Sequence, residues 1–423
     1  MGFHRNLMLS ICAVCLCQAS LFGQYGPQLT SVGPINRSMA GTSTAAPLDT
    51  LGAFLWNPAT ISDLPSSTDF SLELFLPNTT LSSTVNGVSG SDNSGAGIFP
   101  LANFGVVFQP KDSNISYGLG VLSVSGFGVN YPGNPANPVL GSFANGGVGP
   151  LYSQYGVLQV VPTMSIKLTE QLSVGVSPMV DLASLSLNPG LLAPPGGASG
   201  TIYPPMTSGQ YQWGLGVQAG VYYKTDNDWQ FGASVKSPQW FNHFGYNSKD
   251  PVTGDSDYLK TAINAPLIVS VGSAYTGFDR WLLAADFRYL DYQNAAPFSG
   301  SGYTSNGTIS GLGWNSIYAI STGAQYTLSK AVSLRGGYSF NTNPISSDQA
   351  FFNLASPLIL QHGLYCGASY NITQALKVSL AYSHFFENSI SGPFISPVGP
   401  IPGTNVTSQA SADALTIGAS FLY

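Results

Sequence analysis

The sequence predicts an all-β fold: a 14-stranded antiparallel transmembrane β-barrel whose N-terminal segment sits in the lumen as a plug. Three observations carry this. Only 8% of the 423 residues are charged, against about 25% in typical soluble domains. Apolar and polar residues alternate with period two in segment after segment. The connections between those segments alternate strictly between short and long.

The chain opens with MGFHRNLMLSICAVCLCQASLFGQ. His4 and Arg5 form a basic start, Leu7 to Cys17 is an apolar stretch, and small residues follow at Ala19 and Gly23. This order reads as a secretory signal peptide over residues 1–23. The apolar stretch is about 11 residues, too short for a helix to span about 30 Å of hydrocarbon. Cys12, Cys15 and Cys17 all lie in this leader, which leaves Cys366 alone in the mature chain, without a disulfide partner.

Residues 24–66 carry no strand pattern. They are rich in Gly, Ala, Ser, Thr and Pro, with an apolar cluster from Leu51 to Trp56. The barrel is expected over 67–423. Its strands are expected near 68–76, 98–109, 115–125, 153–168, 171–186, 211–224, 229–238, 260–276, 280–291, 313–328, 331–342, 358–371, 375–386 and 411–423. The clearest is LKVSLAYSHFF, where Val378, Leu380 and Tyr382 alternate with Ser379, Ala381 and Ser383. In AVSLRGGYSF, Val332, Leu334, Tyr338 and Phe340 do the same. Pro162, Pro178 and Pro266 remove ladder donors and are expected to mark bulges.

Short turns (PKDSN, TE, TDND, GFD, SK, ITQ) follow every second strand, and long Gly/Pro/Ser/Asn loops follow the others. In an up-and-down barrel this sorts all short turns to one rim. Bacterial outer-membrane barrels have that arrangement, with short periplasmic turns. An even strand number then puts both termini on the periplasmic side. The lipid bilayer is the expected surrounding. The last strand, ADALTIGASFLY, ends on an aromatic residue, which resembles the signal read by the bacterial barrel-assembly machinery.

Chemistry-bearing residues are few. The mature chain has His243, His362 and His384, and no G-x-S-x-G or H-E-x-x-H motif. No catalytic residue, metal site or cofactor is expected. Thirteen scattered basic residues make no nucleic-acid patch. Lys236, Asp286, Arg288 and Arg335 are the inward-facing charges expected in a lumen otherwise lined by Ser, Gly, Ala, Gln and Thr. So neutral a lining suits an apolar solute better than an ion.

A barrel of this width leaks unless plugged, since only about eight strands make a lumen that side chains fill. The segment INRSMAGTSTAAPLDTLGAFLWNPATISDLP resembles the N-terminal hatch of the FadL family of outer-membrane transporters. The matching features are Ala40-Gly41, Asp49, Phe54 with Trp56, and Asn57-Pro58-Ala59. VPTMSIKLTEQLSVGVS (161–177), WGLGVQAGVYYKTDNDWQFGASVKSP (213–238) and GAQYTLSKAVSLRGGYSFNTNP (323–344) extend the resemblance along the barrel. The turn PLDT is less acidic than is usual in that family.

The resemblance implies transport of long-chain fatty acids or other hydrophobic compounds by binding and facilitated diffusion. It further implies capture among the outer loops, a lumenal pocket and a lateral path opened by hatch movement and a kink in the third strand. The loops 126–152 and 187–210, with Phe127, Tyr131 and Leu140, are the expected outer groove. Gly118 and Gly120 are the expected lateral-opening positions. Arg37, Lys236 and Arg335 are the cations available to a carboxylate; without one of them at the ligand, an uncharged hydrocarbon or aromatic compound is favoured. A second reading is a barrel of the same fold that serves as a surface or secretion scaffold without transport.

Overall fold

The structure, a computed structural model, describes residues 24–142, 146–196, 202–207, 211–250 and 253–423. The expected signal peptide lies outside them, as do parts of the loops 126–152 and 187–210.

Fourteen strands close a barrel. They are β1 (Ser67–Val85), β2 (Phe99–Phe108), β3 (Ile115–Tyr131), β4 (Leu151–Lys167), β5 (Leu172–Asn188), β6 (Gln212–Lys224) and β7 (Trp229–Lys236). The other half is β8 (Ile268–Tyr275), β9 (Trp281–Leu290), β10 (Ile317–Thr327), β11 (Val332–Asn341), β12 (His362–Asn371), β13 (Leu376–Gly392) and β14 (Thr404–Leu422). Each pairs antiparallel with its sequence neighbour, and β1 pairs with β14 to close the ring. Two short strands, Val88–Asn93 on β1 and Trp240–Phe241 on β6, extend the same sheet.

The outward faces are apolar where the bilayer is. On β1, Phe70, Leu72, Leu74 and Leu76 are exposed, and beyond them the outward residues turn polar at Asn78, Thr80, Ser82 and Thr84. Period-two alternation follows from the pleat, which points successive side chains to opposite faces. No described helix is long and apolar enough to cross a membrane.

Several strand boundaries depart from those expected. β3 runs on to Tyr131, so Phe127 and Tyr131 sit on a strand rather than in a loop. The strand expected over 260–276 starts at Ile268, because Ser256–Thr261 pairs instead with Phe244–Lys249 in an outer-loop hairpin. Pro162 and Pro178 interrupt the β4–β5 ladder between Val160/Val180 and Met164/Val176, yet the register is the same on both sides. They therefore mark a gap in hydrogen bonding and not a bulge; Pro266 lies ahead of β8, outside any strand. Register shifts fall in β3 at Val124, between Ser123 and Ser125 against β4, and in β13 between Phe385 and Asn388 against β14.

Residues 24–64 run inside the barrel. They form two short helices, α1 (Pro34–Ser38) and α2 (Thr50–Trp56), and a 3-10 turn over Pro58–Asp63. Leu51, Ala53, Phe54, Leu55 and Trp56 are at most 1% exposed.

Candidate functional site

The inner segment is fixed to the wall by polar contacts and by close backbone approach. The Arg37 guanidinium of α1 pairs with the Glu73 carboxylate of β1, both about fully buried. Its Nε donates to Glu73 Oε2 at 3.1 Å and its Nη2 to the Ser31 carbonyl at 3.1 Å. Thr416 Oγ1 donates to Glu73 Oε2 at 3.1 Å. Across the lumen, Asp286 Oδ2 accepts from the Ser43 and Thr44 amides at 3.1 and 3.0 Å and from Thr44 Oγ1 at 2.7 Å. Arg288 Nη2 donates to that same oxygen at 2.5 Å and to the Gly41 carbonyl at 2.8 Å. Arg288 lies 3.8 Å from the Trp56 ring centroid, and Lys236 lies 5.4 Å from it. Trp56 Nε1 donates to the Thr30 carbonyl at 3.2 Å.

Asn57-Pro58-Ala59 has a local mechanism. Asn57 Oδ1 accepts from the Ala59 amide at 3.0 Å, which caps the 3-10 turn, and proline at its first position has no donor to lose. Asn57 Nδ2 donates to the Thr44 carbonyl at 2.7 Å and to the Val221 carbonyl of β6 at 3.0 Å. One side chain thus ends a helix, holds the preceding loop and ties both to the wall.

Gly118 and Gly120 face this segment. A Cβ on Gly118 would lie 2.5 Å from the Phe54 ring, and one on Gly120 would lie 2.8 Å from it. Both positions are where the aromatic side chain of α2 rests against β3. The bend in that strand is at Val124.

Asp49 precedes α2 and lies beside Asp69. Burial first, and then the Asp69 carboxylate, raise its acid up to about 7, against the opposing pull of Arg335 and Lys377. A carboxyl raised in the folded state holds a proton that the unfolded chain releases. Its charge therefore destabilises the folded form increasingly as pH rises from about 4 to about 7. The opening free energy of α2, taken from amide exchange corrected for the intrinsic rate at each pH, is expected to fall across that window in the wild type and to be flat in Asp49→Asn. Equal pH dependence in the two proteins would remove Asp49 as the cause.

Above the inner segment, on the long-loop side, is a cavity of about 360 Å³. Its lining includes Leu29, Phe75, Phe99, Leu101, Phe127 and Leu360, with Gln24, Thr79, Ser125, Gln154, Ser184 and Ser411 as uncharged polar members. No lysine, arginine or carboxylate is among its lining residues. Its size is within the range of small-molecule pockets, about 300–1,000 Å³, which are mostly apolar with few polar groups.

The wall beside this cavity is incomplete. The β2–β3 ladder pairs Phe104–Phe108 with Val121–Tyr117 and ends there. From Leu122 on, β3 has β4 on one side and no β2 ladder on the other. The N-terminal segment supplies part of the missing pairing: the Leu29 amide donates to the Val124 carbonyl at 2.9 Å, and the Gly126 amide donates to the Pro27 carbonyl at 3.0 Å. Asn103 supplies another part. Its Oδ1 accepts from the Ser123 amide at 2.9 Å, and its Nδ2 donates to Ser71 Oγ at 3.2 Å.

Of the residues singled out from sequence, Phe127 lines the cavity. Tyr131 and Leu140 are buried in a separate outer-loop cluster with Val139, Val148 and Leu151. Arg37, Lys236 and Arg335 are sealed between the inner segment and the wall, where Arg335 donates to Gln325 Oε1 at 2.7 Å and to Ser369 Oγ at 2.6 Å. Asp49, Phe54, Trp56, Asn57, Pro58 and Ala59 belong to the buried inner segment. Lys236, Asp286, Arg288 and Arg335 face inward, but so do Asp69, Glu73 and Asp181, which the sequence reading did not single out. Gln24, Leu29 and Asn103 were also not singled out; a lone Asn on an otherwise apolar strand is the one signal they offered. Among the described residues, no group of His, Cys, Asp and Glu is placed to hold a metal ion.

Comparison with known proteins agrees with this geometry. The family profile described as "Outer membrane protein transport protein (OMPP1/FadL/TodX)" matches residues 13–423. A Pseudomonas aeruginosa FadL homologue superposes with a TM-score of 0.71 at 13% identity, covering 95% of this chain and 99% of that one. The P. putida toluene transporter TodX gives a TM-score of 0.66 at 18% identity, covering 93% and 99%. The Ralstonia pickettii toluene transporter TbuX gives 0.63 at 18%, covering 93% and 99%. At these identities the likeness concerns the fold. No curated protein sequence matches the chain.

Proposed function

This chain belongs to the OMPP1/FadL/TodX family of outer membrane transport proteins, and from that premise we propose that it carries small uncharged hydrophobic compounds, aromatic hydrocarbons foremost. The observation that supports this is the cavity: apolar side chains dominate its lining and no charged residue lines it. A fatty-acid carboxylate would leave its charge without a cation there, and burying an unpaired charge is costly. The toluene transporters among its structural relatives handle solutes of this class.

The route proposed is lateral. Residues 24–66 act as a hatch that closes the barrel axis, and the break between β2 and β3 beside the cavity is the way into the bilayer. The contacts from Pro27 and Leu29 to β3 couple the two, since withdrawing the N-terminal segment leaves the Val124 carbonyl and the Gly126 amide unpaired at the break. The two ends of the barrel meet where the Tyr423 amide donates to the Ser66 carbonyl at 3.2 Å, and in this reading that rim faces the periplasm.

The test is uptake into liposomes of toluene and of a long-chain fatty acid, in a Cys366→Ser background carrying Ala102→Cys and Ser123→Cys across the break. Toluene is expected to enter faster than the fatty acid in the reduced protein, and to slow several-fold on oxidation. Fatty acid entering as fast as toluene would reverse the ligand class. Toluene uptake that ignores the disulfide would exclude the lateral route. Entry of neither compound above empty liposomes would favour the scaffold reading.

A further inference from the structure

Directly outside the break, the lipid-facing wall is concave. A groove of about 700 Å³ is lined by Phe70 and Leu72 of β1, Ala102 and Phe104 of β2, Val121 of β3 and Leu158 of β4, and it extends onto β13 and β14. The hollow has a local cause. Ala102 and Ala419 are small side chains set among Phe70, Phe104 and Ile417, whose larger side chains form its rim. On that rim Phe70 and Phe104 stand with ring centroids 5.0 Å apart.

The groove and the cavity are back to back. Leu101 lines the cavity and Ala102 lines the groove, as neighbours on one strand must, since their side chains point to opposite faces. Between them the wall is held by side chains where the ladder has ended: Asn103 to Ser123 and Ser71, and Ser123 Oγ donating to the Ala102 carbonyl at 3.1 Å. Asn103 and Ser71 are common to the groove lining and this staple.

We propose that the outer groove is a second binding site, on the lipid side of the wall, which receives the uncharged hydrophobic solute as it leaves the cavity past Asn103. This rests on the lateral route proposed above. The position of the two hollows, back to back at the break where the β2–β3 ladder has ended, argues for the departing solute as occupant. A solute emerging into flat hydrocarbon would have to displace packed acyl chains, whereas a concave apolar site offers it contacts as it emerges. Passage past Asn103 requires release of its bond to the Ser123 amide and of the Ser123 Oγ bond to the Ala102 carbonyl, which together hold β3 to β2 there.

The test uses the full chain and bromobenzene as probe. In crystals soaked with it, anomalous bromine density is expected in both the cavity and the groove. In Ala102→Phe/Ala419→Phe, which fills the groove, density is expected in the cavity alone, and liposome uptake of bromobenzene is expected to fall several-fold. Val271→Phe, on the far lipid-facing wall, is expected to leave uptake unchanged. Heat-modifiable migration on gels reports whether each variant has folded, and Ala102→Leu is the milder replacement should the double variant fail. Bromine confined to the cavity in the wild type, a detergent chain in the groove in its place, or unchanged uptake in the filled variant would each overturn the exit site while leaving the cavity reading intact. Absence of bromine from the cavity, with no wild-type uptake, would instead overturn the transport reading on which it rests.

Discussion

Glu73→Ala is expected to release the hatch while leaving the barrel closed. The mutation leaves the Arg37 guanidinium buried without its carboxylate, and removing one partner of a buried pair costs about 3–5 kcal/mol. The loss falls on the hatch, because β1 keeps its backbone pairing with β14 from Ser67 to Val85 and with β2 from Ser67 to Phe75. In planar bilayers the variant is expected to show ion conductance that the wild type lacks, and residues 24–66 are expected to become open to protease. Arg37→Met in the same chain removes the stranded charge and is expected to restore most of the seal. Wild-type conductance in Glu73→Ala would sink the idea that this pair anchors the hatch.

Ala412→Trp is expected to abolish transport while leaving the barrel closed. Ala412 lines the cavity from the inward face of β14, where it is 1% exposed. An indole at that position extends into the space the solute would use. Neutral-aromatic binding is expected to weaken at least about ten-fold, equivalent to about 1.4 kcal/mol, and uptake to fall with it. Val398→Trp, at an outer-loop residue 99% exposed, serves as the control. If Ala412→Trp binds and transports like the wild type, the solute does not pass through this cavity.

The opposite outcome is expected where wall glycines touch the hatch. Gly220 would place a Cβ 2.0 Å from Asn57 Oδ1, and Gly232 would place one 1.8 Å from the Thr44 carbonyl. Substitution at either is expected to displace the hatch and not the solute. The sequence shows all these glycines alike, as breaks in an alternating strand. Whether one faces open space on the outer side of the wall, as Gly156 does, or the close approach of another segment, as Gly220 and Gly232 do, depends on what lies opposite.

The sequence by itself determined the barrel: its closure by fourteen antiparallel strands, the sorting of turns from loops, and the outward apolar stripe typified by Phe70, Leu72, Leu74 and Leu76. These are local properties. Period two, turn residues and the need to meet hydrocarbon act on neighbours a few positions apart. Residues 51–64 were legible as an apolar segment that a secreted chain must bury, and Asn57-Pro58-Ala59 as a feature shared with the FadL-family hatch.

Only the tertiary structure decided what that segment meets and where the wall gives way. Glu73 becomes an anchor because Arg37 is folded back against it, and Asp286 because Ser43 and Thr44, more than 240 positions away in sequence, come to rest on β9. The bulge at Val124, the end of the β2–β3 ladder at Phe104 and the role of Asn103 leave no mark in the alternation. They arise from which backbone groups find partners across the barrel. A buried polar group is stable only when its partner is supplied, and here the partners come from elements that sequence proximity does not join.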